Sequence, residues 1–381
     1  MLKKTILFLH KWLGLISGLV ILISSLTGCI YVFQDELKLM LYPEKYILTE
    51  TVTNDSPTLP LTKLISIAEK QLAAGEKVSR IDISPAKNRT WTFRAVKTNK
   101  KAFFYSDYFV YHKRVFLNPY SGKVQAVENT KTEFFQIVLQ LHLNLLLGKK
   151  YGHLIIGTST LIFGLISLTG LFLWWPKKWK AKKLKPHFTI KWNAKIKRFV
   201  YDLHSVFGFY VLLFALLFCI TGLFFAFPAF KKTVAKSLNG NEDKTISQNQ
   251  FPKVASKTNT VLDNAVFHVL AKHPEADQLS IRIQKEPNEP QDIQVRLEKN
   301  KTSVYYWYYF DQKTGAIKKI KDSNRLALGD KITSYNYDLH TGTIGGLPTK
   351  IIAFLAAFIC ASLPITGFWI WLNKSQKKAN K

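Results

Sequence analysis

The chain has 381 residues, 47% of them apolar, and carries 54 Lys and Arg against 25 Asp and Glu, a formal net charge of +29. That surplus could suit a nucleic-acid partner, but its placement excludes one: ten of the cations and no acid lie between Trp175 and Tyr201, and others gather at the two ends. The three cysteines (Cys29, Cys219 and Cys360) all sit in apolar runs, which excludes a disulfide framework or a CxxC redox or zinc motif and leaves small buried packing residues.

In chain order, residues 1–33 give a short basic start and a first apolar span, with Gly14 and Gly18 as a small-residue face for a neighbouring helix. The run is too long for a secretory leader and ends in Tyr31-Val32-Phe33-Gln34 rather than at a small-residue cleavage site. Residues 34–133 read as a first outer domain. It has a turn at Asn54-Asp55-Ser56-Pro57, a helix over 61–74 stopped by Gly75, and strands over 78–83, 90–96, 103–110, 115–117 and 123–127. A tight turn at Asn118-Pro119-Tyr120-Ser121-Gly122 precedes the last strand. Residues 134–175 hold an amphipathic run, 134–147, and a second span. Residues 176–198 are a basic loop with no strand or nucleotide motif, and 199–227 a third span. Residues 228–334 repeat the outer domain: a helix over 261–270, strands over 278–283, 292–298 and 303–310, a turn at Asp311-Gln312-Lys313-Thr314-Gly315, and a strand over 316–320. Residues 335–372 contain a fourth span and 373–381 a tail.

The uncharged cores of the spans (13–33, 154–175, 206–227 and 351–372) are each about 20 residues, enough to cross a hydrocarbon layer of about 30 Å at 1.5 Å per residue. In lipid the backbone must satisfy itself, so these are helices. Positive charge marks the cytoplasmic side, which places both termini and 176–198 inside and 34–153 and 228–350 outside. The outer segments are only mildly basic, and the cationic loop also attracts anionic lipid. Ser121-Gly122 and Thr314-Gly315 are 193 residues apart, His10 and His204 194, and His142 and His340 198. The expected fold is therefore a membrane α-helical bundle of four transmembrane helices with two α+β outer domains, built by internal duplication.

Each span closes on one signature: Leu26-Thr27-Gly28, Leu168-Thr169-Gly170, Ile220-Thr221-Gly222 and Ile365-Thr366-Gly367. A histidine precedes each threonine: His10 and His204 by 17 residues, His142 by 27 and His340 by 26. Threonine can bond back to a carbonyl one turn earlier, and glycine permits close contact or a flat ligand face. Trp12, Trp174, Trp175, Trp369 and Trp371 read as interfacial belts. The run Tyr305–Phe310 reads as a strand with one face in a core.

His10-Lys11-Trp12-Leu13-Gly14 with Leu26-Thr27-Gly28, Leu141-His142 with Leu146-Leu147-Gly148, Tyr201-Asp202-Leu203-His204 with Gly208, and Asp338-Leu339-His340 with Gly342 together resemble the PepSY-associated transmembrane-helix family, often labelled iron-regulated membrane proteins. The outer domains, with 118–124 and 311–317, look like PepSY units, and the resemblance covers about residues 5–372. It implies a bacterial inner-membrane protein linked to iron uptake. Ferric-siderophore reductases of the family are described as binding two b-type haems between their helices.

The residues suit that implication. Imidazole is a neutral nitrogen donor fit for haem iron, and helix bundles place such ligands on facing helices. Topology sorts His10 and His204 to the inner face and His142 and His340 to the outer one, as two bis-histidine sites for two haem b groups. His153, in Tyr151-Gly152-His153, is the alternative outer ligand; the repeat favours His142, because the second copy has Leu339-His340 and nothing equivalent to His153. Taken singly, each histidine reads as interfacial, and His112, His187, His268 and His273 have no such partners. The expected function is a di-haem electron-transfer protein that reduces an extracytoplasmic acceptor, a ferric siderophore, with electrons from an unknown donor. The alternative is a membrane-anchored PepSY binding or regulatory module. A transporter fits less well, since Pro364 alone interrupts spans that lack intramembrane charge.

Overall fold

The computed structural model describes residues 1–50, 57–177, 179–239, 246–247, 260–284, 286, 288–298 and 300–379. Asn54, Asp55 and Ser56 of the expected turn lie outside the described residues. The chain opens with α1 (Leu2–Tyr31) and the short helices α2 (Gln34–Leu41) and α3 (Pro43–Tyr46). Then come α4 (Leu61–Glu69), β1 (Arg80–Ile83), β2 (Trp91–Thr98), α5 (Tyr105–Tyr108), β3 (Phe109–Leu117), β4 (Val124–Asn129), α6 (Phe134–Asn144) and α7 (Lys149–Trp174). After α8 (Ala181–Phe188), α9 (Ile196–Ala226) and α10 (Pro228–Asn239) follow β5 (Ile246–Ser247), α11 (Val261–Lys272), β6 (Gln278–Arg282), β7 (Gln291–Arg296), β8 (Tyr305–Phe310) and β9 (Ile317–Asp322). The chain closes with α12 (Leu328–Ser334), α13 (Asn336–Thr341) and α14 (Leu347–Ala379).

Helices α1, α7, α9 and α14 are long and apolar enough to cross a membrane, with mean hydropathy between 1.9 and 2.5 over their best windows. They form a ring in which α1 packs on α7 and α14, and α9 packs on the same two. Small residues line the contacts: Ser17, Ser159, Ala215, Ala356 and the three cysteines are buried. Large ones such as Ile16, Leu19, Leu213 and Phe358 point outward and stay exposed. Without a hydrophobic drive between helices in lipid, close backbone approach through small side chains is what holds such a bundle. This is a membrane protein with a four-helix bundle and a separate antiparallel sheet domain.

The sheet departs from the expectation of two separate outer domains. Its nine strands run in the order β4-β3-β2-β1-β6-β7-β8-β9-β5, and β1 pairs antiparallel with β6, Ile81 opposite Ile281 and Ile83 opposite Leu279. All four of those apolar side chains are fully buried. Left apart, each half would expose an edge strand of alternating apolar residues; joined, each edge covers the other. Helices α4 and α11 lie on one face over a single core in which Leu64 and Val269 meet Phe93, Val115, Ile293 and Tyr308. Asp263 pins the two helices together. It completes a capping box with Thr260, accepts the Leu61 backbone N–H, and accepts the Thr62 hydroxyl at 3.1 Å.

Two further boundaries differ from expectation. Residues 103–110 do not form a strand: α5 interrupts, and β3 runs unbroken from Phe109 to Leu117. The cause is competition for backbone groups. Tyr105 N–H donates to Leu146 O at 3.0 Å, Gly148 N–H to Phe103 O at 2.6 Å, and the Tyr105 hydroxyl to Lys131 O at 2.7 Å. This loop is spent on clamping the α6–α7 turn, where a side chain on Gly148 would strike the Ala102 carbonyl. Helix α4 stops at Glu69, short of Ala74, because the Glu69 carboxylate accepts Val78 N–H at 3.0 Å and turns the chain back early.

Removing the double cap should loosen both helices at once. Asp263→Ala leaves buried donors unpaired, and we expect a loss of about 1.5–3 kcal/mol in unfolding free energy, with Thr62→Ala costing less. Thermal denaturation of the full chain in detergent measures both.

Candidate functional site

The histidines are delivered by two kinds of element. His10 and His204 each lie eight residues into a long helix, α1 and α9, counting from Leu2 and Ile196. His142 and His340 ride on the short helices α6 and α13, which the sheet domain holds. Glu133 caps α6 by accepting Phe135 N–H at 3.0 Å and Gln136 N–H at 2.8 Å. The helix ends with Leu145 and Leu146 in the left-handed region and packs on α7 where Gly152 leaves room for Asn144. In α13, the fully buried Asp338 accepts Thr302 N–H at 2.8 Å and Ser303 N–H at 2.9 Å, and Asn336 donates to Thr221 O at 3.3 Å. The placement of His340 therefore depends on the loop between β7 and β8.

These elements bring the four rings together as two pairs. His10 faces His204 with ring centroids 6.2 Å apart and planes at 90°; His142 faces His340 at 6.0 Å and 65°. Thr27, which touches His142, lies 17 residues beyond His10 on α1, a rise of about 26 Å. One pair thus sits at the sheet end of the bundle and the other at the end that carries the basic loop. There Asp202, buried on α9, holds Arg198 at 2.8 Å and accepts Lys191 N–H at 3.4 Å, which ties the loop to the helix.

Each ring rests on the Thr-Gly signature of another helix. His10 Nδ1 lies 3.0 Å from Thr169 Oγ1, His204 Nδ1 2.9 Å from Thr366, His142 Nδ1 3.3 Å from Thr27 and His340 Nδ1 2.7 Å from Thr221. Every one of these hydroxyls also donates to a carbonyl of its own helix: Thr27 to Ile23 at 2.7 Å, Thr169 to Ile166 at 2.9 Å, Thr221 to Leu217 at 2.6 Å and Thr366 to Ser362 at 2.9 Å. A hydroxyl has one proton, and a carbonyl can only accept. With that proton committed, the threonine oxygen receives Nδ1–H from the imidazole. His142 Nδ1–H also donates to Ser24 O at 2.8 Å. The protonated nitrogen is therefore Nδ1, and Nε2 keeps its lone pair, the form in which histidine binds a metal. Burial, the larger cause, and the neighbouring His142 push His340 down to about 3, and burial also lowers His142, so both rings are neutral near pH 7.

The glycines complete the cradle. A Cβ on Gly170, Gly367 or Gly28 would stand 3.3, 3.2 or 3.4 Å from Cε1 of His10, His204 or His142, and on Gly222 3.8 Å from that of His340. Between the sheet-end rings lies a cavity of about 140 Å³ walled by Ile21, Gly28, Thr160, Phe218 and Cys360. His153 borders this cavity from α7, but the ring opposite His340 belongs to His142.

The arrangement fits a haem at each pair. An ion held between two imidazole nitrogens at about 2.0 Å each sets the ring centroids about 6 Å apart, close to both separations found. Among the described residues no group of three or more His, Cys, Asp or Glu gathers. Each pair would therefore offer a haem iron two imidazole nitrogens, His10 with His204 and His142 with His340.

In the sequence, Thr-Gly reads as a bond back to a carbonyl and close contact or a flat ligand face; the back-bonds are present, and the threonine–histidine contacts are an addition that the sequence reading lacks. The available signal was its fourfold recurrence. Trp174, read as an interfacial belt, is instead buried: it stacks on Phe209 at 3.9 Å and donates to His187 O at 3.0 Å. Trp12 and Trp175 are exposed. His112 stacks on Phe109, and His273 bonds the Tyr308 hydroxyl at 2.6 Å inside the sheet domain.

Thr221 is the one partner of His340 Nδ1 among the described residues, whereas His142 retains Ser24 O without Thr27. Thr221→Val should therefore cost about 1–3 kcal/mol more than Thr27→Val, the penalty of an unpaired buried donor. Thermal unfolding of the two variants side by side tests the difference, and histidine ¹⁵N spectra report the Nδ1–H form.

A family model described as PepSY-associated TM region matches residues 7–374. No curated protein matches the chain.

Proposed function

We propose, from the premise that the chain belongs to the PepSY-associated TM region family, that it is a di-haem electron-transfer protein of the bacterial inner membrane which reduces an extracytoplasmic acceptor, a ferric siderophore, for iron acquisition. The observation that carries this reading is the pair of facing imidazole couples, 6.2 and 6.0 Å apart, each ring holding its Nε2 lone pair ready. His10 and His204 would hold one haem b, and His142 and His340 the other. The chemistry such a group supplies when bound is one-electron transfer.

What the chain's own residues do follows from their places. Thr169, Thr366, Thr27 and Thr221 fix the rotation of the four imidazole rings and the nitrogen that carries the proton. Gly170, Gly367, Gly28 and Gly222 let the rings lie close to the helices. Apolar walls exclude water and lower the local dielectric. The 17-residue spacing along α1 puts one site near each membrane face, so that an electron taken up at the loop end leaves at the sheet end, where Fe(III) of the acceptor becomes Fe(II). The basic loop and both termini face the cytoplasm in this reading, with an unidentified donor there. We read the two halves, each with a helix, a PepSY-like unit (β1–β4 in the first, β5–β9 in the second) and a return helix, as products of a duplication.

The purified full chain should be red, with sharp reduced α-bands and about two haems per polypeptide by pyridine haemochrome. His204→Ala and His340→Ala should each leave about one haem and remove different bands. Retention of both haems in either variant would refute the pairing. A colourless protein from haem-replete cells would favour the membrane-anchored binding module instead.

A further inference from the structure

The sheet face turned away from α4 and α11 carries a line of arginines. Arg114, Arg94, Arg80 and Arg282 stand directly opposite one another on β3, β2, β1 and β6, so their side chains emerge on one side. Like charges in such a row repel unless counter-charges intervene. Asp82 holds Arg80 at 3.1 Å and also Arg94; Glu128 holds Arg114 at 3.5 Å and Lys45 at 3.0 Å; Asp292 holds Arg282 at 3.6 Å. Three carboxylates thus serve five cations, and Arg296, on the same face of β7, adds a sixth.

The demand for an acceptor is local. Nε of Arg114, Nε of Arg296 and Nδ1 of His112 are buried without a hydrogen-bond partner among the described residues. His112 is only 8% exposed and shares the face of Arg114, two residues along β3. This face looks toward the bundle. Arg114 and Arg94 act electrostatically on Tyr31 at the end of α1, and Arg296 on Asp35 of α2 and Tyr337 of α13. Tyr31 also borders the cavity between His142 and His340.

We propose that the space between the arginine face and the sheet end of the bundle is a receptor for a small polycarboxylate anion, and that the acceptor arrives there as a carboxylate-bearing ferric chelate. A guanidinium offers a planar fork of donors that matches a carboxylate, and a bound anion supplies an acceptor for Nε of Arg114 and of Arg296, whose terminal nitrogens already meet Glu128 at 3.5 Å and Gln278 Oε1 at 3.3 Å. The use of this receptor in electron transfer rests on the conduit reading; the binding itself does not.

The test uses citrate as the probe, with the full chain in detergent. Wild type should bind citrate by calorimetry, more weakly as salt rises, and Arg114→Gln with Arg296→Gln should weaken binding about tenfold or more. Arg296→Lys keeps the charge but loses the fork; it should fall between the two and guards against misfolding of the double variant. In red protein, the KM for ferric citrate should rise in parallel, while kcat and the KM for an uncharged ferric trihydroxamate stay near wild type. Citrate that fails to bind wild type, or binds the double variant equally well, overturns the receptor. A shifted potential of the sheet-end haem with citrate binding unchanged also overturns it, by giving the arginines to haem propionates. Arginine-dependent citrate binding by a colourless protein would support the receptor while removing the conduit.

Discussion

The constraint on which the rest depends is a threonine hydroxyl with one proton to give. In each of the four long helices that proton goes to a carbonyl of the same helix, so the oxygen can only receive from the imidazole beside it. Four rings are thereby set in one tautomer by residues that carry no charge. A carboxylate could have served as the acceptor, as in many metal sites, but an ionised group inside a lipid-facing bundle is costly. A hydroxyl already satisfied by its own helix adds no such cost. The uncharged cores of the four helices and the orientation of the four histidines are two aspects of one solution.

The contacts also cross between helices in a reciprocal way. His10 of α1 rests on Thr169 of α7, while His142, just before α7, rests on Thr27 of α1; His204 and His340 treat Thr366 and Thr221 likewise. Each half of the chain is stitched at both ends of its helix pair. The facing of the two halves, ring to ring, then requires that they stay in register, and the β1–β6 pairing supplies that register outside the bundle. A slip of one residue there would turn Ile81 and Ile281 out of the core and the arginines into it. It would also drag α6 and α13, which the sheet domain anchors through Glu133, Tyr105 and Asp338, away from each other.

Much of this was legible in the sequence because it is written in long periods. Spans of about 20 uncharged residues, the cationic loop and the spacing of His10 from His204 and of His142 from His340 all survive without knowledge of any contact. What could not be read depends on contacts between distant segments. A strand such as 80–83 looks the same whether its edge is free or paired, so one shared sheet was indistinguishable from two. The 103–108 segment has the aromatic content of a strand, and only the α6–α7 turn that takes its backbone groups shows otherwise. Thr-Gly was visible four times, but a motif does not say whose histidine it receives. Trp174 carried an interfacial signature until Phe209 and the His187 carbonyl enclosed it.

Polarity is divided between the two parts of the molecule in a way that bears on function. At the sheet end of the bundle burial, the larger cause, lowers both His142 and His340, and His142 adds to the shift of His340. The sheet face above them concentrates guanidinium groups beyond what its own carboxylates neutralise. A low-dielectric apolar site weakens the hydration of charge, and a cationic face beside it attracts anions. Neither property can be built into the same volume, since water and charge would flood the first and apolar walls would starve the second. Tyr31, which borders the cavity and feels Arg114 and Arg94, marks the boundary where the two environments meet.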